Sequence, residues 1–224
     1  MEISDTLGYP LLASTMITRV KGNLKLREKD TAPKESLDIE DLGYSILRNA
    51  LSAEHVNNLR KEIDEIYRQY PTALKDSHPD GPLYDMYRHE IVNRSAIAQG
   101  TLQLPAILNV VEPLLGQDCH LIDALSWRNP PGLADTKTRG GYYWHTDGGP
   151  QIPRSAESSQ WPSDIPYPIF GIAAEIFLQP CNQEDGPTAI VPTSHKSGLI
   201  PPKELSRETA ITYNGHHPIA LVGK

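Results

Sequence analysis

With 224 residues, 24.8 kDa, a formal charge of −7 and a pI near 5.6, the chain is long enough for one domain with a real core. It has no basic surplus that would recruit nucleic acid or an anionic membrane surface. Hydrophobic residues at 38% and 16 Gly lie in the globular range, while 20 Pro is about twice average usage and favours a loop-rich β architecture over a helical bundle.

Cys119 and Cys181 are too few for a disulfide framework. The N-terminus lacks the basic and apolar regions of a secretory signal, and no window reaches the apolar length of a membrane span. A soluble, cytoplasmic protein acting on a small molecule, without nucleic-acid or membrane partners, is the expectation; oligomeric state is not legible.

Residues 1–36 carry a short apolar patch (Leu11, Leu12, Met16, Ile17, Val20) and then a basic-leaning stretch from Arg19 to Lys34, and read as an N-terminal arm before a domain over 37–224. Gly43–Leu47 reads as a short strand. Ser52 is placed to N-cap a helix reaching about Tyr70, stopped by Pro71, with Val56, Leu59, Ile63, Ile66 and Tyr70 on one face. Positions 75–95 are polar, broken by Pro79, Gly81 and Pro82, and read as loop. Leu104–Leu115 reads as a second helix with Pro105 at its first position and Gly116 at its end, although Pro113 must strain or shorten it.

After Gly116 the period changes to that of strands. His120–Trp127 is expected as one strand, followed by a turn at Asn129–Gly132, and Gly140–Trp144 as another. Positions 148–168 form a Pro-, Ser- and Gly-rich insertion containing Trp161 and Tyr167, either a lid or a surface excursion. Ile169–Leu178 is apolar enough for a buried strand, Asn182–Gly186 a turn, and Pro187–Val191 the strand returning from it as a hairpin. Ile211–Val222 supplies one or two further strands, with Asn214-Gly215 as a turn.

The stretch Gly141-Tyr142-Tyr143-Trp144-His145-Thr146-Asp147-Gly148-Gly149 carries the chemistry. His145 and Asp147 match two of the three ligands of a 2-His-1-carboxylate facial triad, which leaves one face of a non-haem Fe(II) open. The pattern occurs twice, and His78-Pro79-Asp80 is a decoy in a polar turn with no strand leading in. His145-Thr146-Asp147 differs because three residues of high β-propensity precede it and two glycines follow, so the backbone can turn and face both side chains to one ion. On spacing and context alone, a metal ligand and a satisfied core histidine stand as equal alternatives.

Tyr143–Asp147, followed after the insertion by Glu184-Asp185-Gly186-Pro187 and Pro192-Thr193-Ser194-His195-Lys196-Ser197-Gly198, resembles the phytanoyl-CoA dioxygenase (PhyH-like) family. Gly43–Leu47 leading into the Ser52 helix, and Pro105–Gly116, resemble that family's N-terminal helices, so the likeness runs in order from about Asp41 to Gly198. The resemblance implies a mainly β protein with N-terminal helices, a double-stranded β-helix (jelly-roll, cupin-like barrel). It also implies Fe(II) held by His145 and Asp147, with 2-oxoglutarate and O2 as co-substrates, and succinate formation coupled to hydroxylation of an unactivated C–H bond. Related halogenases carry a small residue in place of the carboxylate, so Asp147 favours hydroxylation or another oxidation.

Arg128 and Tyr142 are the candidate co-substrate contacts, against the alternatives of a surface-turn arginine and a packing tyrosine; Trp161 is the candidate substrate contact. His195 is assigned a structural role, since the family's histidine at this turn is not the distal ligand. The resemblance puts the distal His and the carboxylate-gripping Arg after a later Gly-Asp turn, which would begin just past Gly223-Lys224. Strand counting agrees, with about four strands after Asp147 where a jelly roll needs about five. The expectation is a chain that stops inside the barrel as a fragment or truncation, and the alternative function is a non-catalytic jelly-roll module or truncated inactive relative.

Overall fold

The computed structural model describes residues 15–20, 23–28, 32–70, 87–128, 144–145, 169–182, 185, 187–197 and 212–222. The expected strand Gly140–Trp144 (except Trp144), the insertion 148–168 (with Tyr167) and the decoy His78-Pro79-Asp80 lie outside these residues.

The arm contains an antiparallel hairpin, β1 (Thr15–Val20) and β2 (Asn23–Glu28), with Ile17 opposite Leu26 and Arg19 opposite Leu24. Helix α1 (Lys34–Leu42) follows, also unforeseen, because the residues it buries are the polar Ser36 and Glu40, one turn apart, and no apolar stripe announces it. Gly43, expected to open a strand, instead ends α1 in the left-handed region at φ 88°, and residues 44–47 form no strand.

Helix α2 (Ala53–Gln69) forms as the spacing predicts. The Ser52 hydroxyl accepts the His55 amide at 3.1 Å, satisfying one orphan donor of the first turn. Leu59, Ile63 and Ile66 are buried at 3–5% exposure, worth about 1.5–3 kcal/mol each in apolar transfer. The C-terminal aromatic on the core side is Tyr67, four residues after Ile63, whereas Tyr70 is exposed.

Strand β3 (Tyr87–His89) and a 3-10 turn (Ile91–Asn93) occupy part of the expected loop. Helix α3 (Ala96–Leu102) packs on α2: the Ser95 hydroxyl caps α3 by accepting the Ala98 amide at 2.9 Å and donates to Glu62, and His55 Nε2 meets Thr101 Oγ1 at 2.7 Å. Leu59, Ile63 and Ala98 form the core cluster, with Tyr67, Ile91, Val92, Ile97 and Leu178 around it. Helix α4 (Pro105–Leu115) has Pro105 in its first turn and ends at Gly116. It continues through Pro113, and Asn109, whose carbonyl loses its partner four residues on, is an exposed residue. Ser36 on α1 donates to the Val110 carbonyl of α4 at 2.9 Å, and β1 contacts α4 from the hairpin.

Of the expected strand His120–Trp127, only β4 (Leu125–Trp127) pairs, antiparallel to β3, with Arg88 opposite Ser126 and Tyr87 opposite Trp127. Ile169–Leu178 has no ladder partner among the described residues and is at most half-buried, so it is not the buried strand that its apolarity suggests. Strand β5 (Ala189–Ile190) pairs instead with β6 (Ile219–Ala220) near the C-terminus, so the local hairpin expected there is replaced by a long-range antiparallel pair. The turn at Asn214-Gly215 forms as expected: both residues have positive φ, 48° and 78°, and Tyr213 and His216 exchange backbone bonds across it. Among the described residues no helix is long and apolar enough to cross a membrane.

Candidate metal and co-substrate site

Of the candidate ligands, His145 is described and exposed, next to half-buried Trp144; Asp147, Tyr142 and Trp161 lie outside the described residues. An imidazole and a carboxylate two residues apart form a donor set suited to Fe(II), since both are borderline-to-hard ligands, and His145 is an exposed residue. Among the described residues no three His, Cys, Asp or Glu side chains come together, and of the candidate pair they include His145 alone.

Arg128 stands at the end of β4 and is drawn to helix α2. Its Nη2 donates to Asp64 Oδ1, and its guanidinium lies 3.8 Å from the centroid of the Tyr67 ring. Tyr67 is itself fixed, with its hydroxyl donating to the Ser126 carbonyl at 3.1 Å and Arg88 lying 4.2 Å from the same ring centroid. The register explains this convergence. Arg88 and Ser126 are opposite one another in β3 and β4 and both are buried, while their neighbours Tyr87 and Trp127 are exposed with ring centroids 5.9 Å apart. A stacked arginine keeps its planar edge for a carboxylate, and the Arg128 side chain remains 42% exposed.

Tyr67, Asp64 and Arg88 escaped sequence reading. Tyr67 carried a signal, its place four residues after Ile63, whereas nothing in sequence spacing links Arg88 or Asp64 to Arg128.

His195 takes the structural position assigned to it. It sits in a 3-10 turn (Ser194–Ser197), with Nε2 3.1 Å from the Glu40 carbonyl at the C-terminal end of α1. A carbonyl only accepts, so Nε2 carries the proton and the neutral ring is the Nε2–H tautomer. Burial pushes the imidazole pKa below its usual value, opposed by the bond to Glu40. His216 belongs to the Asn214-Gly215 turn and His217 is exposed beside it. His89 pairs with Asp123 at 3.5 Å, both exposed.

A family model described as phytanoyl-CoA dioxygenase (PhyH) matches residues 39–216, which include α2, α3, α4, the His145–Asp147 pair and the His195 turn. Among curated proteins and among solved structures no significant match was found.

Proposed function

The chain belongs to the phytanoyl-CoA dioxygenase (PhyH) family, and from that premise we propose that it is an Fe(II)/2-oxoglutarate-dependent oxygenase that hydroxylates or otherwise oxidises a small organic molecule in secondary metabolism. Members of the family are in general dioxygenases that use Fe(II) and 2-oxoglutarate. The observation that carries the reading is the position of His145-Thr146-Asp147 inside a match that covers most of the chain. The fold proposed with it is a double-stranded β-helix buttressed by the N-terminal helices.

In this reading His145 and Asp147 hold the metal through an imidazole nitrogen and a carboxylate oxygen. The bound iron would couple decarboxylation of 2-oxoglutarate by O2 to oxidation of a substrate C–H bond. Arg128 offers its guanidinium edge to a co-substrate carboxylate. It already bonds one carboxylate, Asp64, so that binding exchanges one anionic partner for another without stranding a charge. Tyr142 supplies an aromatic ring and a hydroxyl for orienting the co-substrate, and Trp161 a broad apolar contact for the substrate.

Anaerobic titration with Fe(II) and then 2-oxoglutarate tests the proposal. A metal-to-ligand charge-transfer band, with succinate formed on admitting O2, is the expected result. Asp147→Ala should keep its circular dichroism and lose succinate formation; undiminished turnover would refute the site. Absence of band and succinate in the full-length wild type would favour a non-catalytic jelly-roll module.

A further inference from the structure

The last carbonyls of an α-helix lack intrahelical donors, and those of α1 are served from two places. The Ile39 carbonyl accepts the Gly43 amide at 2.9 Å. The Glu40 carbonyl meets His195 Nε2 at 3.1 Å, and the Leu42 carbonyl accepts the Thr193 amide at 2.8 Å, both from a turn about 150 residues further along the chain. Lys196 Nζ flanks the junction 3.6 Å from Asp41 Oδ1. The fit is close, since a Cβ built on Gly43 would stand 2.6 Å from His195 Nδ1. The same turn directly follows β5, which holds β6, so this junction ties the C-terminal strand pair to the N-terminal helix.

We propose that the turn Thr193–Ser197 is a proton-sensitive latch, closed on the C-terminal end of α1 while the His195 ring is neutral and opened when that ring is protonated. The inference does not depend on the oxygenase reading. Neutral His195 gives its Nε2–H to the Glu40 carbonyl, and its Nδ1 edge lies against Gly43. Protonation puts a charge in this part-buried, closely packed place, while the open state hydrates it freely. Among the described residues, the charged groups that act on the ring are Asp41 on α1 and Lys196 on the turn itself, while Glu40 meets it through its backbone carbonyl. Asp41 favours the charged ring and Lys196 opposes it, but desolvation is the largest influence and favours the neutral form.

The Thr193 amide reports the latch directly, because its proton is held by Leu42. NMR-detected hydrogen exchange on the whole chain, corrected for intrinsic rates, should show this amide protected at pH 7.5. An open-state histidine titrates near the usual value of about 6.5, so protection should fall by up to about tenfold at pH 5.5, above the usual carboxylate range. His195→Gln retains a donor for the Glu40 carbonyl but cannot titrate, so its Thr193 protection should be alike at both pH values. Unchanged wild-type protection between the two, or an equal fall in His195→Gln, overturns the proposal. If the Gln variant does not fold, long-range 1H–15N spectra of the wild type decide alone. His195 must be the neutral Nε2–H tautomer at pH 7.5 and gain its proton over the range in which Thr193 loses protection; a ring charged at pH 7.5, or one that titrates without change at Thr193, overturns it.

Discussion

Gly43 and Thr193 lie on the two sides of the junction between α1 and the His195 turn, and both have positive φ, 88° and 67°. The left-handed region costs an L-residue with a Cβ about 1–2 kcal/mol. At Gly43 the cost is avoided, and a Cβ there would also strike the His195 ring. Gly43→Ala should therefore lower stability by about 2 kcal/mol or more in denaturant titration. At Thr193 the strain is present, in a β-branched residue whose buried Oγ1 finds no hydrogen-bond partner among the described residues. Thr193→Gly keeps the amide bond to Leu42 and should raise stability by about 0.5–1 kcal/mol, the relieved strain less the backbone entropy of glycine.

His195 sets the sign of a pH effect at the same junction. Its folded-state pKa lies below the unfolded value, so the unfolded chain binds the proton more readily. Its contribution is complete above about pH 6.5 and is lost as pH falls towards the folded pKa. Urea titrations at pH 7.5 and 5.5 should therefore show a smaller loss for His195→Gln than for wild type.

Among the elements, α2 was the most legible. Its cap and its apolar period are local properties of the chain, and both appear in the structure. Ser52→Ala should cost about 1 kcal/mol, the usual value of an N-cap bond, and Ile63→Ala about 2–5 kcal/mol, because a buried side chain at the centre of the core leaves a cavity. Both are measurable as shifts in denaturation midpoint. The difference in size between them reflects where each interaction lies, one at the exposed end of the helix and the other against α3. Helix α1 was missed for the converse reason: its buried face carries Ser36 and Glu40, which hydrogen bonding and tertiary packing accept but an apolar period cannot reveal. The strands were less legible still. Ile169–Leu178 has the composition of a buried strand without a ladder, and Ala189–Ile190 found its partner near the C-terminus, because strand pairing is a contact between distant segments and composition states only a willingness to pair.

For the whole molecule, the proposed iron and co-substrate bind the folded chain alone, so under anaerobic conditions both together should raise the unfolding temperature, and EDTA should reverse the shift. Saturation at about a hundred times Kd corresponds to about 2.7 kcal/mol, and Asp147→Ala should abolish the shift while leaving the unliganded unfolding temperature near that of wild type. The sequence by itself determined the family, through motifs in a fixed order, and it singled out His145 and Asp147 as the candidate metal pair, because residue type and short spacing are local properties of the chain. It also determined the caps of α2 and α4 and the Asn214-Gly215 turn, all of which depend on neighbours in the chain. Only the tertiary structure decided that Arg128 rests on Tyr67 and Asp64, that β5 pairs with β6, and that His195 closes the end of α1. Those are contacts between segments far apart in sequence, chosen by packing and by the need to satisfy buried donors and acceptors, and no local pattern encodes them.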